Sequence, residues 1–398
     1  MLSEPGKRKI VFIFLIFLLA GGGVFLGFLI GQNQCKICPP EEIDLSLFWQ
    51  AWQKIQEKFV NKTQFNTQEM IYGAISGMVE SLDDPYTVFL NPDDTKRFIE
   101  DVSGTFEGVG MEIDIRKGQL QVVAPLEGTP AQRAGLRPGD KIIKINDTSA
   151  PDLTLDEAVN LIRGPKGTEV TLTVFRNDWE KSKEIKIVRA VIEVPSLKWE
   201  IKETPKGENI AYLKLYQFSE KASLDFFQAA IEILNSPVRK IILDLRNNPG
   251  GYLEVAQDIA GWFLERGQIV VIEDFGQDEK KEYKAQGNSR FLEYPLVILI
   301  NQGSASGSEI LAGALRDNRG IMLIGEKSFG KGSVQELERL KGGSSLKITV
   351  AKWLTPKGEL ISDKGLEPDI KVEISEEDYE TEKDPQLDKA LELIEEIK

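Results

Sequence analysis

Apolar residues follow different spacings in successive parts of this chain. Residues 10–30 contain no charged side chain, and a helix of that length spans about 31 Å, enough to cross a bilayer. Further on, Leu45–Phe59 carries apolar residues along one helical face, and Met70–Leu82 repeats that spacing. The N-terminal part is therefore predicted to hold one membrane helix followed by two amphipathic helices.

A different pattern begins near residue 106, where apolar and polar residues alternate along short segments. Alternation predicts strands with one buried face, separated here by turns rich in Gly and Pro. The predicted elements are strands at Met111–Ile115, Gln119–Val123, Lys141–Ile145, Val170–Arg176 and Lys183–Arg189, with one helix at Leu155–Ile162. They form a β-rich α+β domain of about 85 residues.

From residue 210 onward, apolar runs typical of buried strands alternate with amphipathic helices. This alternation predicts an α/β core around a mixed sheet. The predicted strands are Ile210–Leu215, Lys240–Leu245, Val270–Glu273, Leu296–Ile300, Met322–Ile324 and Lys347–Trp353, and the predicted helices are Ala222–Leu234 and Tyr252–Leu264. The acidic tail shows helical spacing at Leu387–Ile397, and the sequence leaves open whether it docks on the core or is free.

The composition narrows the chemistry. The 398 residues include no histidine, which excludes Ser-His-Asp triads, Cys-His dyads and zinc-binding HExxH helices. A net charge of −14 at pH 7, without a basic stripe, argues against a nucleic-acid partner. Cys35 and Cys38 are the only cysteines, and two ligands cannot fill a structural zinc site. We therefore expect neither a metal nor a cofactor.

One serine-rich turn is the best setting for a nucleophile. It lies between an apolar strand pattern and an apolar helix pattern, where Ser306 can be exposed beside free backbone N–H groups. Without histidine, the base must be a lysine made neutral by burial. Lys331 follows in a glycine-flanked, strand-like segment, with Gln335 on the same face. Each stretch alone is also typical of a plain turn, with Ser304 or Ser308 as a helix cap, or of a solvated lysine.

Together these stretches resemble the paired motifs of the C-terminal (tail-specific) processing peptidases, the PDZ-containing Ser–Lys proteases of peptidase family S41. The matching runs are S-A-S-G-S-E at 304–309 and F-G-K-G-S-V-Q at 329–335. The resemblance implies that Ser306 is the nucleophile, that Lys331 is the general base and that Gln335 orients the lysine. Gly307 stands where many members have alanine, and only its backbone N–H is required.

A glycine turn after the predicted strand Lys240–Leu245 forms the second part of the candidate site. Glycines between a strand and a helix suit donation of backbone N–H groups to an anion. Neither GxGxxG nor GxxxxGK[ST] is present to indicate a nucleotide. In the resembled family this loop helps to form the oxyanion hole. We therefore assign the N–H of Gly250 or Gly251, with that of Gly307, to the developing oxyanion.

The segment Ala134–Asn146 is similar to the PDZ signature. A PDZ domain adds a peptide strand to a sheet edge and binds its terminal carboxylate in a nest of backbone N–H groups. Gly108, Val109, Gly110 and Met111 stand at the position of that carboxylate-binding loop. The resemblance therefore implies a binding site for free protein C-termini.

Two further stretches resemble the family. Arg163 closes the PDZ helix in a turn that faces the protease part of the resembled proteins, so it is a candidate for coupling peptide binding to the active site. A cation favoured by the helix dipole is an equal explanation. Leu82–Leu90 resembles the segment after the N-terminal helices, and we interpret it as a capped turn with Tyr86 and Phe89 in the core.

Charges around the apolar run predict its orientation. Basic residues 7–9 precede it and acidic residues 41–42 follow it, which places the N-terminus in the cytoplasm and the remainder outside. A signal peptide cleaved at residues 20–22 is the alternative, but the apolar run continues past the usual length. Cys35 and Cys38 could form interchain disulfides in a parallel dimer. We expect an uncleaved single-pass anchor in the cell membrane and a possible homodimer.

The expected fold is a multidomain α/β protein with a crotonase-like protease core. The expected domains are a cytoplasmic stub and transmembrane anchor at 1–33, a spacer and helical region at 34–100, a PDZ domain at 101–190, a Ser–Lys protease core at 191–380, and an acidic helix or tail at 381–398.

The expected function is that of a serine endopeptidase that cleaves proteins through unstructured C-terminal tails. A catalytically silent PDZ scaffold is the first alternative, and the joint presence of Ser306, Lys331 and Gln335 argues against it. A crotonase-like enzyme acting on small thioesters is the second alternative. Such substrates have no tail for a PDZ domain to bind.

Overall fold

The computed structural model describes residues 43–61, 65–116, 118–126, 128–176, 179–362, 364–375, 377–378, 381 and 383–397. Contacts divide the chain into two units, residues 1–70 and 71–398. The predicted membrane helix, Cys35 and Cys38 lie outside the described residues, so those expectations stay predictions. Within the described ranges, no helix is long and apolar enough to cross a membrane.

The two helices predicted near the N-terminus are confirmed. Helix α1 spans Ser46–Lys58, and none of its residues is buried within the described part of the chain. The rings of Phe48, Trp49 and Trp52 contact one another on its surface. Helix α2 spans Thr67–Glu80, within the signals at Thr67–Glu69 that open it, and it ends two residues before the predicted Leu82. The Asn66 side chain accepts from two N–H groups of its first turn.

Helix α3 was not predicted, although the sequence contains its signals. After the short strand β1 (Val88–Leu90), α3 runs from Pro92 to Ser103. The Asn91 side chain caps it by accepting from the N–H of Asp94 at 2.9 Å, and Gly104 ends it at φ +76°. Asn, Pro and acidic residues at the start with Gly after the end are the usual boundary signals of a helix.

The predicted PDZ domain is built on an antiparallel sheet of order β3-β4-β5-β7-β8, with β6 paired to β5. Among the described residues β3 pairs only with β4, so its outer edge is open there. A separate ribbon pairs β2 with β9. The bounds are β2 Thr105–Gly108, β3 Met111–Arg116, β4 Gln119–Pro125, α4 Pro130–Arg133, β5 Lys141–Ile145, β6 Thr148–Ser149, a 3-10 turn Ala150–Asp152, α5 Leu155–Ile162, β7 Glu169–Phe175, β8 Lys183–Val188 and β9 Ala190–Glu193.

The predicted protease core contains a six-stranded sheet of order β10-β11-β12-β15-β16-β19, parallel except for β10. Its central strands are apolar on both faces, as a doubly covered parallel sheet requires. The bounds are β10 Leu197–Glu203, β11 Asn209–Leu215, α6 Ala222–Asn235, β12 Ile241–Asp244, α7 Leu253–Phe263, β15 Leu296–Ile300, α8 Gly307–Arg319, β16 Met322–Gly325, β19 Ile370–Lys371 and α9 Pro385–Glu396.

Helix α9 answers the question of the acidic tail. Ala390 and Ile394 are buried against residues of the parallel sheet such as Ile242 and Val297, while helices α6, α7 and α8 contribute to the core on the other face. The acidic tail is therefore docked, and its helix covers the second face of the sheet.

A buried ion pair attaches α9 to the end of strand β12. Arg246, just after β12, bonds the carboxylate of Asp244 at 2.7 Å and that of Asp384 at 2.7 Å, and Asp384 also caps α9. Burial opposes the charge of Arg246, but the two carboxylates outweigh it and raise the pKa of Arg246. Removing either partner would leave a buried charge unpaired.

The single mixed sheet expected from the sequence is wrong. Two of its predicted strands belong to a separate antiparallel sheet, in which β18 pairs with β1, β13 and β17, and β13 pairs with β14. The bounds are β13 Ile269–Gly276, β14 Glu279–Lys284, β17 Ser333–Arg339, a 3-10 turn Lys341–Gly343 and β18 Ser345–Leu354. Strand pairing between distant segments decides this division, and local periodicity does not report it.

Candidate active site

Two turns meet at one edge of the parallel sheet. Strands β12 and β15 are adjacent and parallel, so the turns after them leave the sheet at the same side. Asn247 and Asn301 exchange two hydrogen bonds of 2.8 and 2.9 Å between the turns. The buried hydroxyls of Ser304 and Ser308 donate to backbone carbonyls of the turn after β12. These two serines thus hold the turns together.

Ser306 is the residue at which the second turn becomes helix α8. Its backbone has φ +50° and ψ −114°, a conformation that residues with a side chain rarely adopt. The side chain is half-buried and lines a cavity. A sharp strand-to-helix turn of this kind projects a serine hydroxyl away from the sheet, as a nucleophile requires.

Glu309 joins the segments of Ser306 and Lys331, and sequence reasoning gave it no role. Its buried carboxylate accepts from the N–H of Ser306 at 2.9 Å and from that of Lys331 at 3.0 Å. It also accepts from the N–H of Gly330 and the hydroxyl of Ser328. Burial raises the pKa of Glu309, and these four donors act in the opposite direction. The Ser-x-x-Glu spacing of a capping box was the available signal.

Lys331 is half-buried in the same cavity. Burial lowers the pKa of its ammonium group, whereas the charge of Glu309 acts in the opposite direction. Its Nζ lies 5.9 Å from the centroid of the Tyr86 ring. Tyr86, which the sequence analysis placed in the core, therefore also covers Lys331. Within the described residues, Nζ forms no hydrogen bond or ion pair. A desolvated lysine without a fixed partner is suited to accept a proton.

Gln335 lies on β17 and lines the cavity with Ser306 and Lys331. Its side-chain amide donates to the hydroxyl of Ser333 at 2.6 Å. The expected contact from Gln335 to Lys331 is not formed among the described residues. The residue is thus in the site, but its partner in this structure is Ser333.

The three candidate N–H donors to an oxyanion can now be reduced to two. The N–H of Gly250 donates to Asn248 Oδ1 at 2.9 Å, so it is already used. Among the described residues, the N–H groups of Gly251 and Gly307 donate to no acceptor. Gly250 instead packs on Ser306, because a Cβ there would lie 2.6 Å from Ser306 Cβ. The sequence left Gly250 and Gly251 as alternative donors to an oxyanion, and the geometry favours Gly251.

These groups face a cavity of about 580 Å³. Besides Ser306, Lys331, Gln335 and the glycines, its wall is largely apolar, which suits an extended peptide with apolar side chains. The apolar lining includes Phe98 and Val102 of α3, Leu253 of α7, Val334 and Leu337 of β17, and Trp353 of β18. No group of three or more Cys, Asp and Glu side chains in the described ranges is arranged to hold a metal.

The predicted carboxylate-binding loop lies at the start of the open strand β3. Gly108 ends β2 and Met111 begins β3. The carbonyls of Val109 and Gly110 accept from Ala131 and Leu126, while the N–H groups of Val109 and Gly110 donate to no acceptor among the described residues. Two free N–H groups beside an open strand edge match the requirements for binding a C-terminal peptide.

Arg163 lies between the PDZ domain and α3. Its guanidinium bonds Asp101 at 2.9 Å and stacks 4.4 Å from the centroid of the Phe106 ring, two residues before the carboxylate-binding loop. Asp101 in turn lines the catalytic cavity together with Phe98 of the same helix. The arginine therefore contacts elements of both candidate binding sites.

Family models match most of the described chain. Peptidase family S41 matches residues 209–372, a PDZ domain matches residues 121–176, and the activating protease CtpB N-terminal domain matches residues 32–94. The S41 match contains Ser306, Lys331, Gln335, Glu309 and the three glycines, whereas Tyr86 and the lining residues of α3 lie before it. The PDZ match begins after the predicted carboxylate-binding loop.

Curated relatives and solved structures agree with these matches. The chain is 37% identical over 324 residues to the carboxy-terminal processing protease CtpA of Bacillus subtilis (81% of this chain, 68% of the relative). It is 40% identical over 308 residues to a probable CtpA-like serine protease of Staphylococcus haemolyticus (77% and 61%). The chain thus spans about three fifths to two thirds of these relatives. The photosystem II D1 C-terminal processing protease superposes with a TM-score of 0.53 at 28% identity, covering 82% of this chain and 92% of that one.

Proposed function

Because the chain belongs to peptidase family S41 of serine-type peptidases, we propose that it is a serine endopeptidase that uses a Ser306–Lys331 dyad. One observation carries the proposal. The strained Ser306 and the half-buried Lys331 face one cavity, and Glu309 holds the backbone N–H of both.

In the proposed reaction, Ser306 Oγ attacks the peptide carbonyl carbon while unprotonated Lys331 Nζ accepts its proton. The N–H groups of Gly251 and Gly307 stabilise the oxyanion of the tetrahedral intermediate. Lys331 then donates the proton to the leaving amine, which leaves an acyl-enzyme. Water attacks this ester in a second cycle with Lys331 again as the base, and release of the acid restores the Ser306 hydroxyl.

Gln335 is proposed to orient Lys331 during this cycle. Its position in the cavity supports the role, because Nε2 donates to Ser333 and leaves the amide oxygen to accept from the lysine. The proposed reaction also requires a neutral Lys331. The apolar cavity wall supports this, because a neutral lysine is favoured where water is excluded.

Substrates are proposed to be proteins with unstructured C-terminal tails. The tail would add a strand to the open edge of β3, and its carboxylate would bind the free N–H groups of Val109 and Gly110. Gly108 and Met111 complete that loop. Arg163 is proposed to transmit tail binding to the catalytic cavity through Asp101 of α3.

Anchoring in the cell membrane by residues 10–30 is also a proposal, with the protease portion on the extracytoplasmic side. The length of the apolar run and the charges at its ends support it. A homodimer joined through Cys35 and Cys38 is proposed as well, because both cysteines would then lie outside the cytoplasm, where disulfides form. Digestion of intact cells by an added protease tests the topology, since only an outward-facing domain would be degraded.

The dyad is tested with detergent-solubilised full-length protein and a fluorophosphonate probe, which labels activated serines. We expect labelling at Ser306 and none in Ser306→Ala or Lys331→Ala. We also expect cleavage of an unfolded protein that ends in an apolar tail and slower cleavage when its C-terminal carboxylate is amidated. Absence of labelling in folded wild-type protein would support the alternative of a silent PDZ scaffold.

A further inference from the structure

A buried carboxylate lies in the wall of the cavity that holds the proposed dyad, and the proposed mechanism does not use it. Glu273 of β13 is 5% exposed and lines this cavity. Its Oε2 accepts from the Tyr283 hydroxyl at 2.7 Å. Within the described residues its Oε1 accepts no hydrogen bond, and it is not wholly covered by other atoms. A largely desolvated carboxylate oxygen without a donor is costly, so its position calls for a donor from outside the chain.

Glu273 lies on the face of the antiparallel sheet that forms part of the cavity wall. Strand register places it directly opposite Trp353 of β18 and Lys281 of β14, so these side chains project to the same face. The rings of Tyr283 and Trp353 meet edge to face, with their centroids 6.0 Å apart. The aromatic and apolar members of this part of the wall are Leu253, Tyr283, Val334 and Trp353.

This part of the wall adjoins both halves of the proposed catalytic site. Leu253 follows Gly251 by two residues, a span of at most about 7 Å. The N–H of Trp353 donates to the carbonyl of Gly332 at 2.6 Å, and Gly332 follows Lys331 directly. A substrate side chain that enters this part of the cavity therefore belongs to a residue close to the scissile bond.

The charges near Glu273 favour a cationic ligand. Lys281, directly opposite, has an exposed side chain and forms no ion pair with Glu273. Glu254 at the start of α7 lines the same cavity and adds a second carboxylate. The other lysine of β18 in the wall, Lys347, lies six residues before Trp353, about 20 Å along the strand.

We propose that Glu273 determines specificity by binding the ammonium or guanidinium group of a substrate lysine or arginine close to the scissile bond. The Tyr283 hydroxyl holds one carboxylate oxygen in place, and Oε1 accepts from the cation. The aliphatic stem of the substrate side chain packs on the rings of Tyr283 and Trp353. The inference rests on the proposed peptidase function and adds a substrate class for the same cavity.

The test uses detergent-solubilised full-length protein and peptides that share one apolar C-terminal tail. Mass spectrometry first maps the cuts in a mixture that is randomised ahead of the tail. A pair of peptides then carries either lysine or the uncharged norleucine at the position that the map identifies. Wild type is compared with Glu273→Gln, and Glu282→Gln is the matched control, because Glu282 is exposed and lies opposite Ile272 on the other face of the sheet.

Wild type should show lysine and arginine enriched at one position beside the cut bond. Its kcat/KM should be about tenfold to 100-fold higher for the lysine peptide than for the norleucine peptide, because a buried hydrogen bond between two charged groups is lost in the latter. Glu273→Gln should reduce this ratio to about one, since an amide carries no charge. Glu282→Gln should keep the wild-type ratio.

Equal kcat/KM for the two peptides in wild type overturns the proposal, and this result does not depend on the folding of any variant. A wild-type ratio in Glu273→Gln that is folded, as judged by circular dichroism, also overturns it, because Glu273 would then be only a structural partner of Tyr283. These failures differ from failure of the proposed function. Wild type that is labelled at Ser306 and cleaves without a basic preference refutes the specificity alone, whereas folded wild type that is neither labelled nor active refutes the Ser–Lys mechanism and this inference with it.

Discussion

The two turns of the candidate active site and the predicted carboxylate-binding loop share one backbone feature, a pair of N–H groups without acceptors among the described residues. In the core these belong to Gly251 and Gly307, and in the PDZ domain to Val109 and Gly110. The catalytic pair adjoins the strained Ser306, whereas the PDZ pair adjoins the open edge of β3. Under the proposed function, the neighbouring group, and not the pair of N–H groups, separates chemistry at a carbonyl from capture of a carboxylate.

The largest expected effect on the cleavage rate follows from replacement of Ser306 or Lys331. Ser306→Ala, Lys331→Ala and Lys331→Arg should each lower the cleavage rate by more than about 100-fold, at least ~2.7 kcal/mol of barrier. Arginine keeps the charge but stays protonated and cannot act as a base. Tail binding to the PDZ domain, measured by fluorescence anisotropy, should not change.

Lys327→Arg is the matched control for Lys331→Arg. Lys327 lies four residues away and pairs with Glu367 at the surface, so its replacement should leave the rate unchanged. Near-normal turnover in Lys331→Arg would show that this lysine is not the base.

The next effect tests the two pairs of N–H groups against each other. In Gly251→Ala the new Cβ would lie 2.2 Å from the Phe218 carbonyl oxygen at φ +144°, so the turn must shift and the labelling rate should fall by about 100-fold. In Gly110→Ala the Cβ would lie 2.5 Å from Thr129, so tail affinity should fall while fluorophosphonate labelling persists.

Melting temperatures control for global unfolding of these two variants, and Gly128→Ala, with open space around its Cβ, shows the cost of a positive φ alone. Equal losses of labelling in Gly251→Ala and Gly110→Ala would contradict the separation of the two pairs of N–H groups.

A smaller difference should appear in the pH dependence. Burial lowers the pKa of Lys331, so the cleavage rate should rise as pH increases through that lowered value and persist in mildly alkaline solution. Tail binding should be flat above about pH 6, because a peptide carboxylate is already ionised there. Rates and anisotropy measured from pH 5 to 10 check both. A cleavage rate independent of pH over that range would argue against a lysine base.

The same lowered pKa affects stability. A lysine whose pKa is lower in the folded protein destabilises the fold when protonated, and this cost is relieved as pH rises from the folded value toward 10.5. Lys331→Met should therefore raise the melting temperature at neutral pH while abolishing cleavage. A lower melting temperature would indicate that the charged form of Lys331 stabilises the fold.

The smallest expected effect concerns the link between the two pairs of N–H groups. Arg163→Gln removes the bond to Asp101 and should lower kcat for a tail-bearing protein by a few fold, about 1 kcal/mol, with tail affinity and fluorophosphonate labelling unchanged. Lys166→Gln, exposed in the same turn, is the control. Identical kinetics in the two variants would favour a helix-end cation without a coupling role.

The sequence by itself determined the elements and the residue types of the site. Helical spacing located α1 and α6, apolar runs located β12 and β15, and the absence of histidine directed attention to Ser306 and Lys331. These features are local or compositional, so they are readable without a fold. Helix α3 was readable too, through Asn91 and Gly104, and was missed.

Only the tertiary structure decided which of the locally predicted elements and side chains contact one another. Three features join segments that are distant in sequence: the division into two sheets, the docking of α9 and the four hydrogen bonds to Glu309. A fourth, the hydrogen bond from the Gly250 N–H to Asn248, depends on one backbone conformation. A one-dimensional pattern specifies which face of an element is apolar, but packing and strand register specify which faces and charges meet.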